Sequence, residues 1–378
     1  MATMNNISSV DSQKLYMQRR KRKLAAFVLE VTGKLNVDKP VTFKEFVDYW
    51  KQKHSCRVGT ITMVNYEQML NDRLLPAFGF KKMDKITDAD ILRFMQSLSS
   101  ANMRLDSKNE KKLSSVTIMK HFKLLNLIFN KACAWKYLAK NPCDAVSRDL
   151  LIKAESTHYP IWDSETLRKA MKIIDDMPHN LSNQKNRLMF YIALTTGARK
   201  GEFLGLTWDR VDLERRELKI TKSMKYVNGR KPFLGTPKTD ASVRTLYFDD
   251  FLKQLFLDYK AQLDEWLTKN KITNPQNLVF VSRNADEQNE AVPINGDSFY
   301  LWLKRLCKKH NLPRIAVHSL RAMAATNALI SGMSLNMVQA MLGHTNISTT
   351  SIYLRDVQDE RKKVTNLLSK HFADLRKE

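Results

Sequence analysis

No stretch of this sequence approaches the roughly 20 consecutive apolar residues that a bilayer-spanning helix needs. The opening residues, "MATMNNISSVDSQKLYMQ", lack the apolar core of a signal peptide, so nothing in them argues for secretion. Cysteine is sparse: Cys56, Cys133, Cys143 and Cys307 lie far apart. That spacing argues against a disulfide frame or a zinc motif and suits reduced thiols in a cytosolic protein. The eight histidines also lack metal-ligand spacing. No internal repeat and no low-complexity tract is present. Acidic residues are in short supply too, 39 against 63 basic ones, which leaves a net charge of +24.

What is there describes a soluble globular protein, 43% hydrophobic and 27% charged. A chain of 378 residues is too long for one ordinary core and suggests two or three domains. The positive charge is spread over the whole length. Residues 1–40 hold 8 basic and 3 acidic side chains, residues 41–150 hold 19 and 11, and residues 151–378 hold 36 and 25. Charge carried by every segment suits a protein that wraps a polyanion better than one with a basic tail. Nucleic acid is the expected partner. An anionic membrane surface and an incidental basic surface are the other readings.

Residues 1–40 contain the basic run Arg19, Arg20, Lys21, Arg22 and Lys23, followed by apolar "LAAFVLEV". The run is a candidate DNA-contacting arm; a nuclear localisation signal and a solvated helix end are the alternatives. Helical periodicity starts at "TFKEFVDYWKQKH", with Thr42 as N-cap, and continues through "TITMVNYEQMLNDRLLPAF" until Pro76. "TDADILRFMQSL" begins with Thr87 three residues before Asp90, and a polar loop is expected from Ser99 to Lys112. The longest expected helix follows, with Ile118, Phe122, Leu125, Ile128 and Phe129 on one face, until Asn141-Pro142 breaks it. Four helices in about 100 residues make a small bundle.

A short linker is expected between Asn141 and Ser156. Beyond it comes a helix capped by Asp163 or Ser164, and another that ends at Gly197. Residues 217–248 alternate like strands, with turns at Asn228-Gly229 and near Pro237. From Asp249 onward the pattern is mostly helical. Ser348 or Thr349 is expected to cap a short helix carrying Tyr353 on its second turn, facing a cleft that holds His344. The last apolar stripe, Val364, Leu367, Leu368, Phe372 and Leu375, must be buried on its own domain or on a neighbouring subunit.

Four pieces carry chemistry. They are "TTGARKGEFLGLTWDRVDL" (195–213), "TPKTDASVRTL" (236–246), "HSLR" (318–321) and "LGHTNISTTSIY" (342–353). Attack on a phosphodiester gathers negative charge on two non-bridging oxygens. Arginine offers a planar fork of donors that fits such oxygens and stays charged at physiological pH. Arg199 and Arg321, from distant segments, could clamp a phosphate between them, and preorganised charge supplies much of the rate enhancement in many enzymes. A tyrosine can keep the phosphate-bond energy for religation, but with a pKa near ~10 it needs a base. Taken singly, Arg199 reads as a helix-end residue, Lys238 as a solvated turn, and His318 and His344 as structural. Glu202 and Trp208 read as an ion-pair partner and a core residue.

In this order the four pieces resemble the tyrosine recombinase family, the phage-type site-specific integrases of mobile elements. Thr196, Gly197, Arg199, Glu202, Leu206 and Trp208 match its first box, with the acid displaced to Asp209 or Asp212. Lys238, Thr239, Ser242 and Arg244 match the second; His318, Leu320 and Arg321 the third; Leu342, Gly343, His344 and Tyr353 the fourth. Ala322 stands where the family often has a second histidine. The resemblance implies a mainly α fold with a small antiparallel sheet: a helical core-binding (SAM-like) domain plus an α+β tyrosine recombinase catalytic domain. Residues 1–40 would be a basic N-terminal arm, 41–150 the helical DNA-binding domain, and 151–378 the catalytic domain with a tail helix. It implies Tyr353 as nucleophile, Lys238 as acid, His318 as base, and His344 as a hydrogen-bonding partner of the phosphate. Double-stranded DNA attachment sites would be exchanged through a 3′-phosphotyrosyl bond and a Holliday junction by a DNA-bound homo-tetramer. Accessory DNA-bending or excision factors, a bacterial cytoplasm, and no membrane, metal or nucleotide belong to the same expectation. A type IB topoisomerase and a non-catalytic DNA-binding protein are the competing classes.

Overall fold

The structure, a computed structural model, describes residues 41–54, 58–100, 113–146, 160–226, 231–237, 240–354 and 357. It is mainly helical with small antiparallel sheets, and it divides into two compact units, 1–156 and 157–378. The basic run at 19–23, the loop at 101–112, the Asn228-Gly229 turn, Lys238 and the tail stripe lie outside the described residues.

Among the described residues the first unit is a bundle of four helices. Helix α1 (Phe43–His54) starts at Thr42, whose hydroxyl accepts from the Glu45 N–H at 3.3 Å while the Glu45 carboxylate accepts from the Thr42 N–H. It buries Phe43, Phe46, Val47 and Trp50. Helix α2 (Thr60–Met69) does not stop at Pro76. The chain widens into a π turn at Leu70–Leu74 and resumes at Leu75–Phe78 with Pro76 in the first turn. Proline has no N–H to give, and the wide turn, closed by Leu75 N–H reaching Leu70 O, lets the path continue. The same turn sends Leu70 and Leu74 into the core. Helix α3 (Asp88–Leu98) carries the Thr87/Asp90 capping box, and α4 (Ser115–Ala134) is capped by Ser114. The expected face of α4 is buried, and the Phe43 ring sits 5.9 Å from both Phe78 and Phe129.

The second unit surrounds one nearly encased helix. Helix α5 (Ser164–Asp175) is capped by Asp163, and α6 (Leu181–Tyr191) runs into a π turn, Ile192–Thr196. After the short α7 (Lys200–Leu204), the strand-like segment forms two separate sheets. One is three-stranded, β1 (Val211–Asp212), β2 (Glu217–Ile220) and β5 (Arg244–Tyr247); the other pairs β3 (Ser223–Lys225) with β4 (Phe233–Gly235). Helix α8 (Asp250–Lys269) follows, packed on α6. A hairpin then interrupts the expected helical run: β6 (Val281–Ala285) and β7 (Ala291–Pro293). Its strands are short, five and three residues, too few to show a period. The turn is made by the Asp286 carboxylate, which accepts from the Gln288 and Glu290 N–H groups, with Asn289 at φ 56. Helices α9 (Ser298–Lys309), α10 (Val317–Ile330), α11 (Leu335–Leu342) and α12 (Ser348–Ser351) complete the described part of the unit. Ten residues of α10 are buried, including Ser319, Arg321 and Thr326, as befits a helix packed on most sides.

Candidate active site

Two glycine elbows bring the distant boxes together. Gly197 ends the α6 path at φ 64 and Gly343 ends α11 at φ 65, both left-handed positions that suit glycine. A Cβ on Gly197 would lie 2.8 Å from Leu342 Cδ2, and one on Gly343 would lie 2.8 Å from the Ala241 carbonyl oxygen. The elbows therefore approach more closely than other residues permit.

Three arginines grip the C-terminal end of α11. Arg244 Nε donates to Met341 O at 2.7 Å, Arg321 Nη2 to Leu342 O at 2.7 Å, and Arg199 Nη2 to Gly343 O at 3.1 Å. Carbonyls at a helix end lack intrahelical partners and carry the negative end of the dipole, so cationic donors satisfy both. Glu202 fixes the array from behind. Its carboxylate accepts from Arg199 Nη1 at 2.8 Å, Arg244 Nη2 at 2.9 Å and the Arg199 N–H at 2.9 Å. Burial raises its pKa, but the Arg244 bond and charge and the Arg199 bonds outweigh that and hold it below the ordinary value. Glu202 is thus the ion-pair partner expected. Trp208 is half-buried rather than fully in the core; it packs on Phe256 with Lys260 over its ring.

The arginines differ in exposure. The Arg199 side chain is 36% exposed and Arg244 8%, whereas Arg321 is 1% exposed. Arg321 Nη1 donates to Gly197 O at 2.6 Å, but its buried Nε has no hydrogen-bond partner among the described residues. Burial, then the Arg199 charge, push its pKa down to about 9. It still carries its proton near neutrality, as a cation desolvated and incompletely paired.

The pKa values of both histidines are lowered. Burial, then the Arg321 charge and those of Arg199, His318 and Arg244, push His344 down to about 4. His344 Nε2 lies 2.8 Å from Arg321 Nη2, and Nδ1 lies 2.8 Å from Thr350 Oγ1. His318 is exposed at the rim. Desolvation, then the Arg321 and Arg199 charges, lower its pKa. A cleft of about 340 Å³ opens here, with Arg199, His318 and Arg321 facing Lys200, Asp297 and Tyr300.

Tyr353 is placed differently from the expectation. Neither Ser348 nor Thr349 caps α12; the Asn346 Oδ1 accepts from the Ser348 N–H at 2.9 Å, and the helix begins after Ile347 and ends at Ser351, so Tyr353 falls in the turn beyond it. Two of the hydroxyls there are engaged elsewhere: Thr350 faces His344, and Ser351 donates to Ser348 O. The Tyr353 side chain is 4% exposed and packs with Ala322, Ala325, Leu329, Val338 and Leu342. It is near enough to Arg321 to act on its charge, yet neither Tyr353 nor His344 lines the 340 Å³ cleft. Ala322 belongs to the same buried cluster as the ring. Sequence reasoning assigned no site role to Arg244 or Thr350; Arg244 stood in the second box as a hint, and Thr350 had none. Among the described residues, no cluster of three or more His, Cys, Asp or Glu side chains could hold a metal ion.

A cationic cleft with a neighbouring tyrosine in an α+β unit, in a chain that also holds a small helical bundle, fits an enzyme that transfers phosphodiester strands. The chain belongs to the phage integrase family: the family profile matches residues 162–360, and the phage integrase N-terminal SAM-like domain matches 42–99. It is 26% identical over 272 residues to a tyrosine recombinase XerC-like protein of Caldanaerobacter subterraneus subsp. tengcongensis, covering 68% of this chain and 67% of that one. Its fold is similar to that of the Tn1549 transposon integrase in complex with transposon right end DNA, with a TM-score of 0.66 at 20% identity over 85% of this chain and 99% of that one. A lambda integrase from a tetramer bound to a Holliday junction matches with a TM-score of 0.51 at 16% identity, over 84% of this chain and 81% of that one. The protein is a site-specific DNA recombinase of the tyrosine type, an enzyme that cleaves and rejoins DNA strands.

Proposed function

We propose that Tyr353 is the nucleophile, that Arg199 and Arg321 receive the scissile phosphate, and that His344 joins them as a donor to a phosphate oxygen. The observation that carries this reading is the buried Arg321, whose Nε has no hydrogen-bond partner among the described residues, lining one cleft with Arg199 and His318 and within charge reach of Tyr353. A buried donor left without a partner is destabilising by about 1–3 kcal/mol, which an incoming anion relieves. Tyr353 Oη attacks phosphorus, the bond to the 5′-oxygen breaks, and a 3′-phosphotyrosyl bond forms. The phenol proton goes to His318, whose lowered pKa keeps it available as a base. The leaving 5′-oxygen takes its proton from Lys238, a role that rests on the motif alone. Rejoining reverses these steps with the partner strand's 5′-hydroxyl. Because Tyr353 is buried in the free chain, the ring must shift from its Ala322–Leu342 surroundings to reach the phosphate.

The wider reading follows from the same chemistry. Two duplex attachment sites are exchanged by a DNA-bound homo-tetramer to integrate a mobile element, in a bacterial cytoplasm. Residues 41–150 grip DNA and 151–378 cut it; the basic run at Arg19–Lys23 adds backbone contacts, and accessory bending or excision factors act alongside. The similarity to integrases solved on transposon-end DNA and on a Holliday junction supports it. The test is a nicked duplex carrying the attachment site, followed by two linear sites together. A covalent adduct plus recombinant products is the expected result. An adduct with relaxation but no recombinants would favour a topoisomerase, and tight binding without an adduct would favour a non-catalytic protein.

A further inference from the structure

The geometry points to Thr350 as a positioning residue whose hydroxyl sets, and reverses, the tautomer of His344. The inference rests on the proposed role of His344 at the phosphate. An arginine side chain only donates, so His344 Nε2, 2.8 Å from Arg321 Nη2, must accept. A neutral imidazole that accepts at Nε2 carries its proton on Nδ1. That proton points at Thr350 Oγ1, 2.8 Å away, and the hydroxyl accepts it. The tautomer is thus inferred from the network around the ring.

Thr350 is built into this place. It is 0% exposed, and its N–H donates to Ile347 O at 2.8 Å. Its carbonyl accepts from the Tyr353 N–H at 3.1 Å. One residue therefore contacts the histidine through its side chain and the tyrosine segment through its backbone.

The tautomer seen in the free chain cannot donate from Nε2. A phosphate oxygen offers only lone pairs, so His344 must bring a proton to Nε2 to bind one. One proton leaves Nδ1 and one arrives at Nε2, exchanged through solvent, with no net change in charge. Nδ1 then needs a donor in place of the acceptor it had. A hydroxyl is the small side-chain group that does both, because it rotates between accepting and donating. A carboxylate would hold the first tautomer and an ammonium the second. The same exchange releases the Arg321 Nη2–H from His344 and frees it for the phosphate. Arrival of the anion thus converts an arginine–histidine pair that satisfies itself into two donors aimed at one ligand.

The test uses the full chain with Thr350→Val, nearly the same shape without the hydroxyl, and Thr350→Ser, which keeps it. Single-turnover cleavage of a nicked attachment site should fall about ten- to a hundredfold for Thr350→Val, the scale of losing an outer partner of a functional histidine. Thr350→Ser should recover most of the rate, and both variants should bind DNA as the parent does. Nitrogen-15 spectra of the histidines, with His344→Gln to assign the signal, give a readout that simple packing would not move. The free protein should show His344 protonated at Nδ1, and the Tyr353→Phe complex with DNA should show it protonated at Nε2. An unchanged Nδ1 tautomer in the complex, or an imidazolium, would overturn the switch. So would Thr350→Val cleaving at the parental rate while His344→Gln is slow. If His344→Gln itself cleaves normally, the role of His344 at the phosphate fails first and the switch falls with it.

Discussion

Two arginines of the catalytic unit are almost equally hidden, Arg187 at 4% exposure and Arg321 at 1%, and their surroundings differ in kind. Arg187 closes the end of α5. It donates to Ile174 O, Asp175 O and Met177 O and to Gln184 Oε1, with the Asp175 carboxylate 3.8 Å away. All three of its nitrogens are engaged. Arg321 also donates to a helix end, but among the described residues its Nε has no partner and no carboxylate touches it directly, and other arginines crowd it. A buried cation whose donors are all used holds a fold together. A buried cation with a donor to spare can take up an anion, the role proposed for Arg321. Burial alone distinguishes neither, and the contrast teaches that the partner count of a hidden charge says more about function than its depth.

The comparison breaks most easily at Arg321. Arg321→Ala should lower single-turnover cleavage by about 10²–10³-fold, the scale of losing one transition-state donor. DNA affinity should change little, because many other basic residues remain. A loss confined to affinity, read from a binding titration, would put Arg321 outside the reacting centre. Arg187→Met should do the reverse. It removes the donors to the Asp175 and Met177 carbonyls and leaves Ile174 O with its backbone donors alone, so stability should fall by about 3 kcal/mol in denaturant unfolding, with cleavage per folded molecule unchanged. Cleavage that drops out of proportion to unfolding would erase the distinction.

A smaller effect sharpens the comparison through pH. His344, and His318 beside it, have folded pKa values below the ordinary 6.5, His344 at about 4. The unfolded chain therefore binds protons that the folded chain refuses between pH 6.5 and about 4. Their contribution to stability is complete above 6.5 and is lost as pH falls through that window. His344→Gln should flatten the loss of stability on acidification, and an unaltered profile would mean the ring is not held neutral. The acid limb of cleavage should likewise lie below pH 6.5, since His318 stays unprotonated to lower pH than a free imidazole.

The smallest expected effect is on salt dependence. A +24 chain that neutralises about 8–12 phosphates should show a log–log slope of affinity against salt of about −7 to −11. Arg321→Ala should alter that slope by no more than about 1. A parental slope near −2 would mean that the basic surface mostly faces solvent.

The contrast between the two arginines also shows what the sequence made legible. Caps at Thr42, Thr87 and Asp163 and the glycine stops at Gly197 and Gly343 were readable, because each is a local device with a local signature. Pro76 misled, since a π turn five residues long absorbs the missing N–H. The β6–β7 hairpin was invisible because its strands, five and three residues long, are too short to show a period. At the site, the motif spacing marked Arg199, His318, Arg321, His344 and Tyr353 as candidates. It could not say that Arg244 reaches Met341 O from 97 residues away, nor that Tyr353 is buried in the free chain. Those facts depend on how α10 and α11 cross, which no local pattern encodes. Thr350 stood in a row of look-alike hydroxyls, and only its place opposite His344 separates it from Ser348 and Thr349.

The central claim is that Tyr353 takes the strand onto itself. The direct measurement is adduct trapping on a nicked attachment-site duplex, parent against Tyr353→Phe, with binding measured on the same samples. The parent should form a denaturation-resistant protein–DNA band whose modified peptide contains Tyr353, and the variant should bind equally well and form none. An adduct that persists in the Tyr353→Phe protein, or one that maps to another tyrosine, would contradict the account.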